Sequence, residues 1–187
     1  KQIDISIKDK VVTVRDYGRG IPLGAVIDCV SKINTGGKYD SRAFQKSVGL
    51  NGVGTKAVNA ISSFFKVESF REGETKVAEF DKGELIKDHI IAKTTERNGT
   101  KFQFNADNTI FKNFHFVSEF IDEQLWNYAY LNAGLTINFN GNKFVSKDGL
   151  KDLLTKKTNE AELRYPIIHL KDTDIERSFA YYFNKYD

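Results

Sequence analysis

The chain contains one cysteine and no methionine, and no apolar stretch in it is long enough to cross a membrane. A single cysteine, Cys29, excludes a disulfide framework, and its place in an apolar helical pattern predicts a buried, inert thiol. With no signal peptide and no membrane partner indicated, these absences predict a cytoplasmic protein. The lack of any methionine, and a strand-like pattern that starts at Lys1, predict that the sequence is a fragment of a longer protein.

Charge is nearly balanced between the two signs. The 28 basic and 25 acidic residues give a formal net charge of +3, which is too small to indicate a nucleic-acid surface by itself. Hydrophobic residues make up 40% of the chain, so the sequence predicts a sizeable core rather than a disordered chain. His89, His115 and His169 lie far apart without metal-ligand spacing, and no chemistry is assigned to them.

Residues 49–54 read Gly-Leu-Asn-Gly-Val-Gly and run into a helical pattern that starts at Thr55. Because glycine has no Cβ, such a backbone approaches a phosphate closely and directs several N–H groups at it. The helix start adds roughly half a positive charge. The segment therefore predicts a phosphate cradle, with a plain flexible loop as the structural alternative. Lys38, Lys56 and Arg71 are candidate phosphate contacts, although a solvated side chain is the commoner fate of any one of them.

Asp16 ends a strand pattern and is followed by Gly18 and Gly20. A carboxylate in this place accepts a hydrogen bond from the amino group of adenine, while the glycines admit the flat ring. The alternative is a turn that simply ends the strand. Taken with the phosphate cradle, Asp16 predicts a nucleotide held by its base and its phosphates, and ATP in particular.

Two known nucleotide motifs nearly match the glycine segment. Gly49–Lys56 differs from the phosphate loop G-x-x-x-x-G-K-[ST] because its last two residues are transposed, so a standard phosphate loop is rejected. Gly52–Ala57 fits the dinucleotide fingerprint, and Glu72 lies at the expected distance, but a loop rather than a strand precedes the first glycine. A non-enzymatic module that binds a dinucleotide therefore stays open as an alternative.

Periodicity along the chain predicts alternating helices and antiparallel strands. The predicted helices cover residues 23–33, 55–62 and 118–131, the last capped by Ser118. The predicted strands form a hairpin over residues 3–15, a meander of 64–70, 76–80 and 101–104, a hairpin over 135–145, and two runs at 164–170 and 175–183. A loop over residues 36–54 is long enough to be functional, as lids are. The aromatic residues of the third helix are predicted to be core, and they are Phe120, Trp126, Tyr128 and Tyr130.

Three segments, taken in order, resemble the ATPase region of type II topoisomerase B subunits, which are the B subunits of bacterial DNA gyrase and topoisomerase IV in the GHKL superfamily. The segments are Asp16–Pro22, Gly36–Asp40, and Gly49–Gly54 followed by Val58-Asn59-Ala60. The last two look more like topoisomerase IV. The resemblance implies an α+β fold of the GHKL (Bergerat) type, a two-layer sandwich of a mixed, mainly antiparallel sheet covered by helices. It implies an ATP-binding domain at residues 1–147 and the beginning of a transducer domain at 148–187.

The resemblance also implies a site for ATP. Asp16 is expected to bind the adenine amino group, partly through a water shared with Thr100, and Arg71 is expected at the pocket rim, where aminocoumarin inhibitors reach. The residues expected around the base are Gly18, Gly20, Ile21, Pro22 and Val30. The residues expected in the ATP lid and at the phosphates are Lys38, Leu50, Asn51, Gly52, Val53 and Gly54. Tyr17 and Asn51 depart from the family, which usually has Asn or Asp at the first position and, in gyrase, His at the second.

The family's remaining functional groups are expected outside the sequence. Its general-base Glu and its Mg²⁺-binding Asn lie on a helix before Lys1, and its γ-phosphate lysine lies beyond Asp187. No catalytic residue and no metal ligand is therefore assigned within the chain, which is expected to bind ATP without hydrolysing it.

The resemblance further implies partners for the whole protein. It is expected to be an ATP-hydrolysing DNA topoisomerase, an isomerase of the bacterial cytoplasm and nucleoid, whose B subunits dimerise and act with A subunits and DNA. The fragment itself is expected to be monomeric. Another GHKL enzyme, such as a histidine kinase or a mismatch-repair ATPase, is a second open alternative beside the dinucleotide-binding module, and Gly36-Gly37-Lys38 argues against both kinds of enzyme.

Overall fold

The computed structural model describes residues 1–33, 35, 52–158, 163–172 and 175–180. The chain forms two compact units, one of residues 3–116 and one of residues 117–187 with Lys1 and Gln2. The predicted boundary between residues 147 and 148 falls inside the second unit and stays a prediction.

The first unit contains a sheet and two short helices. The strands are β1 (Gln2–Lys8), β2 (Val11–Asp16), β3 (Ser62–Arg71), β4 (Glu74–Asp81), β5 (Glu84–Asp88), β6 (Ala92–Lys93) and β7 (Gly99–Ala106). Their order is β5–β4–β3–β7–β2–β1, with β6 also paired to β4. The helices are α1 (Val26–Ser31), which follows a 3₁₀ turn at Leu23–Ala25, and α2 (Gly54–Ala60).

The predicted hairpin over residues 3–15 is confirmed. β1 and β2 pair antiparallel from Ile3–Asp16 to Lys8–Val11, which leaves Asp16 at the end of its strand. Asp9 and Lys10 both have positive φ, at 50° and 67°, as a two-residue hairpin turn of right-handed twist requires.

The predicted meander is right in its antiparallel pairing and wrong in its order. β7 does not follow β4 in the sheet but lies between β3 and β2, and it pairs with both. The free edge of β4 is instead taken by β5 and β6, two strands that the sequence pattern did not predict. All five residues of β5 are exposed, so they carry no apolar alternation from which a strand is predicted.

The core of the first unit lies between the sheet and its two helices. Its fully buried members are Val26 and Val30 of α1, Phe65 and Val67 of β3, and Ala78 and Phe80 of β4. Phe65 lies opposite both Phe80 and Phe104, so these side chains share one face of the sheet. The arrangement is the α+β sandwich that was predicted.

The second unit is smaller. It contains α3 (Ser118–Leu131), the hairpin β8 (Thr136–Phe139) and β9 (Asn142–Phe144), α4 (Leu150–Lys157), and the hairpin β10 (Ile168–Lys171) and β11 (Glu176–Phe179). α3 has the predicted bounds, but Ser118 is its first helical residue and its side chain makes no capping hydrogen bond. α4 was not predicted.

The predicted aromatic core on α3 is half right. Trp126 and Tyr130 stack at 5.5 Å, and Trp126 also meets the edge of Phe144. Phe120 and Tyr128, by contrast, are 70% and 58% exposed. At about 100° per residue, residues three or four apart share a helix face, so Phe120 and Tyr128 point away from Trp126.

Cys29 is half-buried rather than buried. Its thiol donates to the carbonyl of Thr35 at 3.2 Å, and its burial raises the pKa of the thiol. A raised pKa favours the protonated thiol, which is a poor nucleophile, and the inert character of Cys29 stays a prediction. Across the described part of the chain, no helix is long and apolar enough to cross a membrane.

Candidate functional site

Asp16 stands where β2 ends, with one carboxylate oxygen engaged by the backbone. Oδ1 accepts the N–H of Gly18 at 2.8 Å. Among the described residues no hydrogen bond to Oδ2 occurs, so this oxygen is able to accept a donor from a bound molecule. The main-chain carbonyl of Asp16 accepts from Nη1 of Arg15 at 2.8 Å.

A row of polar side chains, the polar row, crosses three neighbouring strands and consists of Asp16 of β2, Thr100 of β7 and Ser69 of β3. Arg15 pairs with Lys101, so the preceding residue of β7, Thr100, lies beside Asp16 at the same end of the sheet. Thr100 is itself paired with Ser69 of β3, and both side chains are buried. Since residues opposite each other share a face, this row lies on the helix-covered face, two residues along each strand from Val67 and Phe102. A carboxylate and two hydroxyls thus converge at the edge of the apolar core.

Two glycines allow the strand ends to approach each other. Gly20 has φ of +76°, and a Cβ there would lie 2.5 Å from the carbonyl oxygen of Phe70. Gly99 has φ of +141°, and a Cβ there would lie 2.1 Å from the carbonyl oxygen of Asp16. The structure shows that Gly20 makes room for the backbone of β3, and the room for a ligand ring that was predicted at Gly20 stays a prediction. Gly99, predicted only as a turn residue, belongs to the site.

The segment after Gly20 is held against the row of polar side chains. Ser69 Oγ donates to the carbonyl of Ile21 at 2.7 Å, and Ile21 packs on the buried core. Pro22 accepts the N–H of Ala25 at 2.8 Å, which starts the 3₁₀ turn into α1. Val30, four residues into α1, is buried in the same core. The structure therefore brings together the predicted base-pocket residues Asp16, Gly20, Ile21, Pro22, Val30 and Thr100.

The phosphate-binding prediction is only partly covered by the structure. Gly52 has φ of +57°, Val53 is exposed, and Gly54 opens α2 with no atom within 4 Å of a Cβ placed on it. Lys38, Leu50 and Asn51, and most of the predicted lid, lie outside the described residues. The roles assigned to this segment stay predictions.

Lys56 and Asn59 fix α2 in place. Lys56 is buried, and its Nζ donates to the carbonyl of Gly52 at 2.7 Å, so its ammonium is committed to the turn before the helix. Asn59 is 1% exposed and donates from Nδ2 to the carbonyl of Val30 at 3.0 Å, which ties α2 to α1. Its Oδ1 is buried without a hydrogen bond among the described residues.

Arg71 ends β3 two residues after Ser69, so the two side chains share a face. Its Nε donates to Glu72 Oε1 at 3.1 Å, and its side chain is about one-third exposed. Arg71 therefore lies beside the polar row, and its place at the rim of a nucleotide pocket and its contact with inhibitors stay predictions.

Sequence reasoning missed Arg15, Ser69 and Gly99. Ser69 alternates with Phe65 and Val67, so it is a hydroxyl on the buried register of a strand, which is a readable signal. Arg15 and Gly99 gave no such signal, because their contacts are with residues far along the chain: Arg15 with Arg97, and Gly99 with Asp16.

No protein-family model matches the chain. It is 45% identical over 180 residues to the B subunit of DNA topoisomerase 4 from Borreliella burgdorferi, covering 96% of this chain and 30% of the relative. It is 37% identical over 139 residues to the B subunit of DNA gyrase from Halalkalibacterium halodurans, covering 70% of this chain and 22% of the relative. The chain therefore spans less than a third of these curated relatives.

A solved structure gives the same comparison in three dimensions. It is the 43K ATPase domain of Thermus thermophilus gyrase B in complex with an aminocoumarin, which matches with a TM-score of 0.73 and 26% identity. The match covers 95% of this chain and 50% of that one.

Proposed function

Because the chain belongs to the family of bacterial type II topoisomerase B subunits, we propose that it binds ATP as part of a protein of that kind. The observation that supports this most is the polar row at the end of β2, where Asp16 offers Oδ2 beside Thr100 at the edge of the core. A carboxylate accepts the adenine amino group there, and the apolar core behind it takes the flat face of the base.

The phosphates then extend toward the start of α2. The N–H groups of Gly52, Val53 and Gly54 are the proposed donors, with Leu50, Asn51 and Lys38 joining them in the lid. Support comes from the open space around Gly54 and from the Lys56 hydrogen bond that holds Gly52 in its turn.

The expected Mg²⁺ is not matched by the described residues, which contain no group of three or more His, Cys, Asp or Glu side chains able to hold a metal. No step of the proposal therefore depends on a metal. The 187-residue chain, when it is expressed by itself, is proposed to bind a nucleotide without hydrolysing it. Steady-state phosphate release above the buffer blank would contradict this.

For the whole protein, the proposal is an ATP-driven DNA topoisomerase of the bacterial cytoplasm. Its B subunits are proposed to dimerise on binding ATP and to act with A subunits on DNA. The names of the relatives support this assignment, and topoisomerase IV is favoured over gyrase by the relative with 45% identity.

Calorimetric titration with ADP tests the site. Asp16→Asn replaces the acceptor with an amide and should weaken ADP by about tenfold or more, since a hydrogen bond to a charged group is lost. Asp28→Asn is the matched control, because Asp28 is a half-exposed carboxylate of α1 paired with Lys32. Its ADP affinity should equal that of the wild type.

Two other results would overturn the proposal. Equal ADP affinity in the wild type and Asp16→Asn would remove Asp16 from the base pocket. Tighter binding of NAD than of ADP would favour the dinucleotide-binding module instead.

A further inference from the structure

Arg15 is a buried cation beside the proposed nucleotide site that plays no part in binding as described so far. It is 8% exposed, and its side chain lies on the opposite face of the sheet from that of Asp16, because neighbouring residues of a strand alternate. Arg15 therefore does not reach a molecule bound at Asp16 Oδ2. Any effect it has on that molecule passes through the backbone.

The guanidinium joins two points of the backbone. Nη1 donates to the carbonyl of Asp16 at 2.8 Å, and Nη2 donates to the carbonyl of Arg97 at 2.5 Å, 82 residues further along the chain. The β2–β7 pairing runs only as far as Arg15 and Lys101. The side chain of Arg15 thus continues the link between these strands just where the backbone pairing stops.

Two aromatic rings lie close to the guanidinium. Its Cζ lies 4.3 Å from the ring centre of Phe70 and 4.9 Å from that of Tyr17. Arg97 covers the same Tyr17 ring at 4.9 Å. Cation–π contacts of this kind favour a guanidinium over an ammonium, and the two hydrogen bonds fix the direction of its N–H groups.

Acidic groups balance the charge of this stack. Glu96 lies 4.0 Å from Nη2 of Arg15, and Asp4 accepts the hydroxyl of Tyr17 at 2.5 Å. The hydrogen bond to Asp4, followed by burial, raises the pKa of Tyr17, so its ring adds no charge beside the two guanidinium groups. The stack is therefore a neutralised, tightly connected support behind the end of β2.

Gly99 makes the support sensitive to small shifts. A Cβ on Gly99 would lie 2.6 Å from Nη1 of Arg15, as well as 2.1 Å from the carbonyl oxygen of Asp16. The turn before β7, the guanidinium and the Asp16 peptide are therefore in contact with one another. A displacement of the guanidinium moves the peptide that carries the Asp16 carboxylate.

We propose that Arg15 is a positioning residue for nucleotide binding: its guanidinium, in contact with Phe70 and Tyr17, fixes the Asp16 peptide against the 97–99 turn and so aims the Asp16 carboxylate at the base. This inference rests on the proposed function. The face of the sheet that carries the Arg15 side chain, opposite to that of Asp16, thereby contributes to the recognition of adenine.

A double-mutant cycle with ADP as the probe tests it. Arg15→Met and Arg15→Lys are each made in the wild type and in Asp16→Asn, and ADP affinity is measured by calorimetry. Both Arg15 changes should weaken ADP by about tenfold in the wild type and by less than about twofold in Asp16→Asn. Arg15→Lys should behave like Arg15→Met, since one ammonium does not replace the planar fork.

Lys101→Met is the matched control. Lys101 pairs with Arg15 in the sheet and its side chain lies on the same face. Its Nζ lies 3.7 Å from Glu68 Oε1, so its ammonium is paired with Glu68 and not with the Asp16 peptide. Its ADP affinity should match the wild type. Urea unfolding of every variant separates binding from folding, and Arg15→Lys serves as the test if Arg15→Met does not fold.

Three outcomes count against the proposal. Wild-type ADP affinity in both Arg15 variants overturns it while leaving Asp16 in place. An equal loss in the wild type and in Asp16→Asn also overturns it, because a general structural effect does not depend on Asp16. If Asp16→Asn itself binds ADP like the wild type, the proposed function fails, and the positioning role fails with it.

Discussion

At the scale of single residues, the site depends on places where no side chain fits. Gly99 has both a positive φ and the carbonyl of Asp16 within 2.1 Å of its missing Cβ. Gly24, in the turn before α1, has open space in the same position. A methyl group added at Gly99 would clash with the backbone, whereas one added at Gly24 would meet no atom.

Gly99→Ala is expected to destabilise the fold by about 2–4 kcal/mol, because the added methyl displaces the Asp16 peptide and strains the backbone. ADP affinity should fall with it in the fraction that remains folded. Urea unfolding gives the first quantity and calorimetry the second. Gly24→Ala should leave both nearly unchanged, and a wild-type unfolding midpoint for Gly99→Ala would contradict the close approach.

At the scale of elements, prediction from sequence succeeded where the signal is local. The α3 bounds followed from helical spacing and from the Asn-Ala-Gly punctuation after Leu131, and the first hairpin followed from alternating isoleucines. α4 was missed although Leu150, Leu153 and Leu154 have helical spacing, because the helix is only eight residues long and its other positions are polar or charged. The place of β7 was missed because its partners, β2 and β3, lie far away in sequence, and the same is true of the contacts of Arg15 and Gly99.

Asp152 determines how α4 begins. Its Oδ2 accepts from Ser146 Oγ at 2.7 Å and from the N–H groups of Lys147 and Asp148 at 3.0 Å each. These hydrogen bonds, that of Ser146 first, lower the pKa of Asp152. A lowered pKa in the folded state means that the carboxylate stabilises the protein above its ordinary pKa, and that this stabilisation is lost as the pH falls through the folded value.

Asp152→Asn is therefore expected to lower the free energy of unfolding by about 1 kcal/mol at pH 7. The gap between variant and wild type should close as the pH falls below roughly 4. Unfolding followed by the fluorescence of Trp126, the one tryptophan of the sequence, reports on this unit. Asp148→Asn is the control, since Asp148 contributes its N–H to the cap, and a pH-independent gap would refute the ionic origin.

At the scale of the whole molecule, burial rather than aromatic content decides which side chains stabilise the fold. Phe80 is fully buried among the residues that join α1 to the sheet, whereas Phe120 is 70% exposed on α3. The composition indicates that the protein has a hydrophobic core, but it does not show which of the 15 phenylalanines lie in that core.

Phe80→Ala is expected to cost about 3–5 kcal/mol, because it leaves a cavity beside Phe65 and Val26. Phe120→Ala should stay within about 0.5 kcal/mol of the wild type. Thermal and urea unfolding followed by circular dichroism measure both. Comparable losses in the two variants would mean that Phe120 is covered in solution.

The insertion of β7 between β2 and β3 has a consequence for the order in which the molecule assembles. The hairpins β1–β2 and β3–β4 close over short turns and are expected to form early, whereas the Arg15–Arg97 contact closes a loop of 82 residues. The polar row is completed only when that long loop closes. The proposed base pocket is therefore expected to form late in folding, after much of the secondary structure is in place, so that a nucleotide binds only the finished fold.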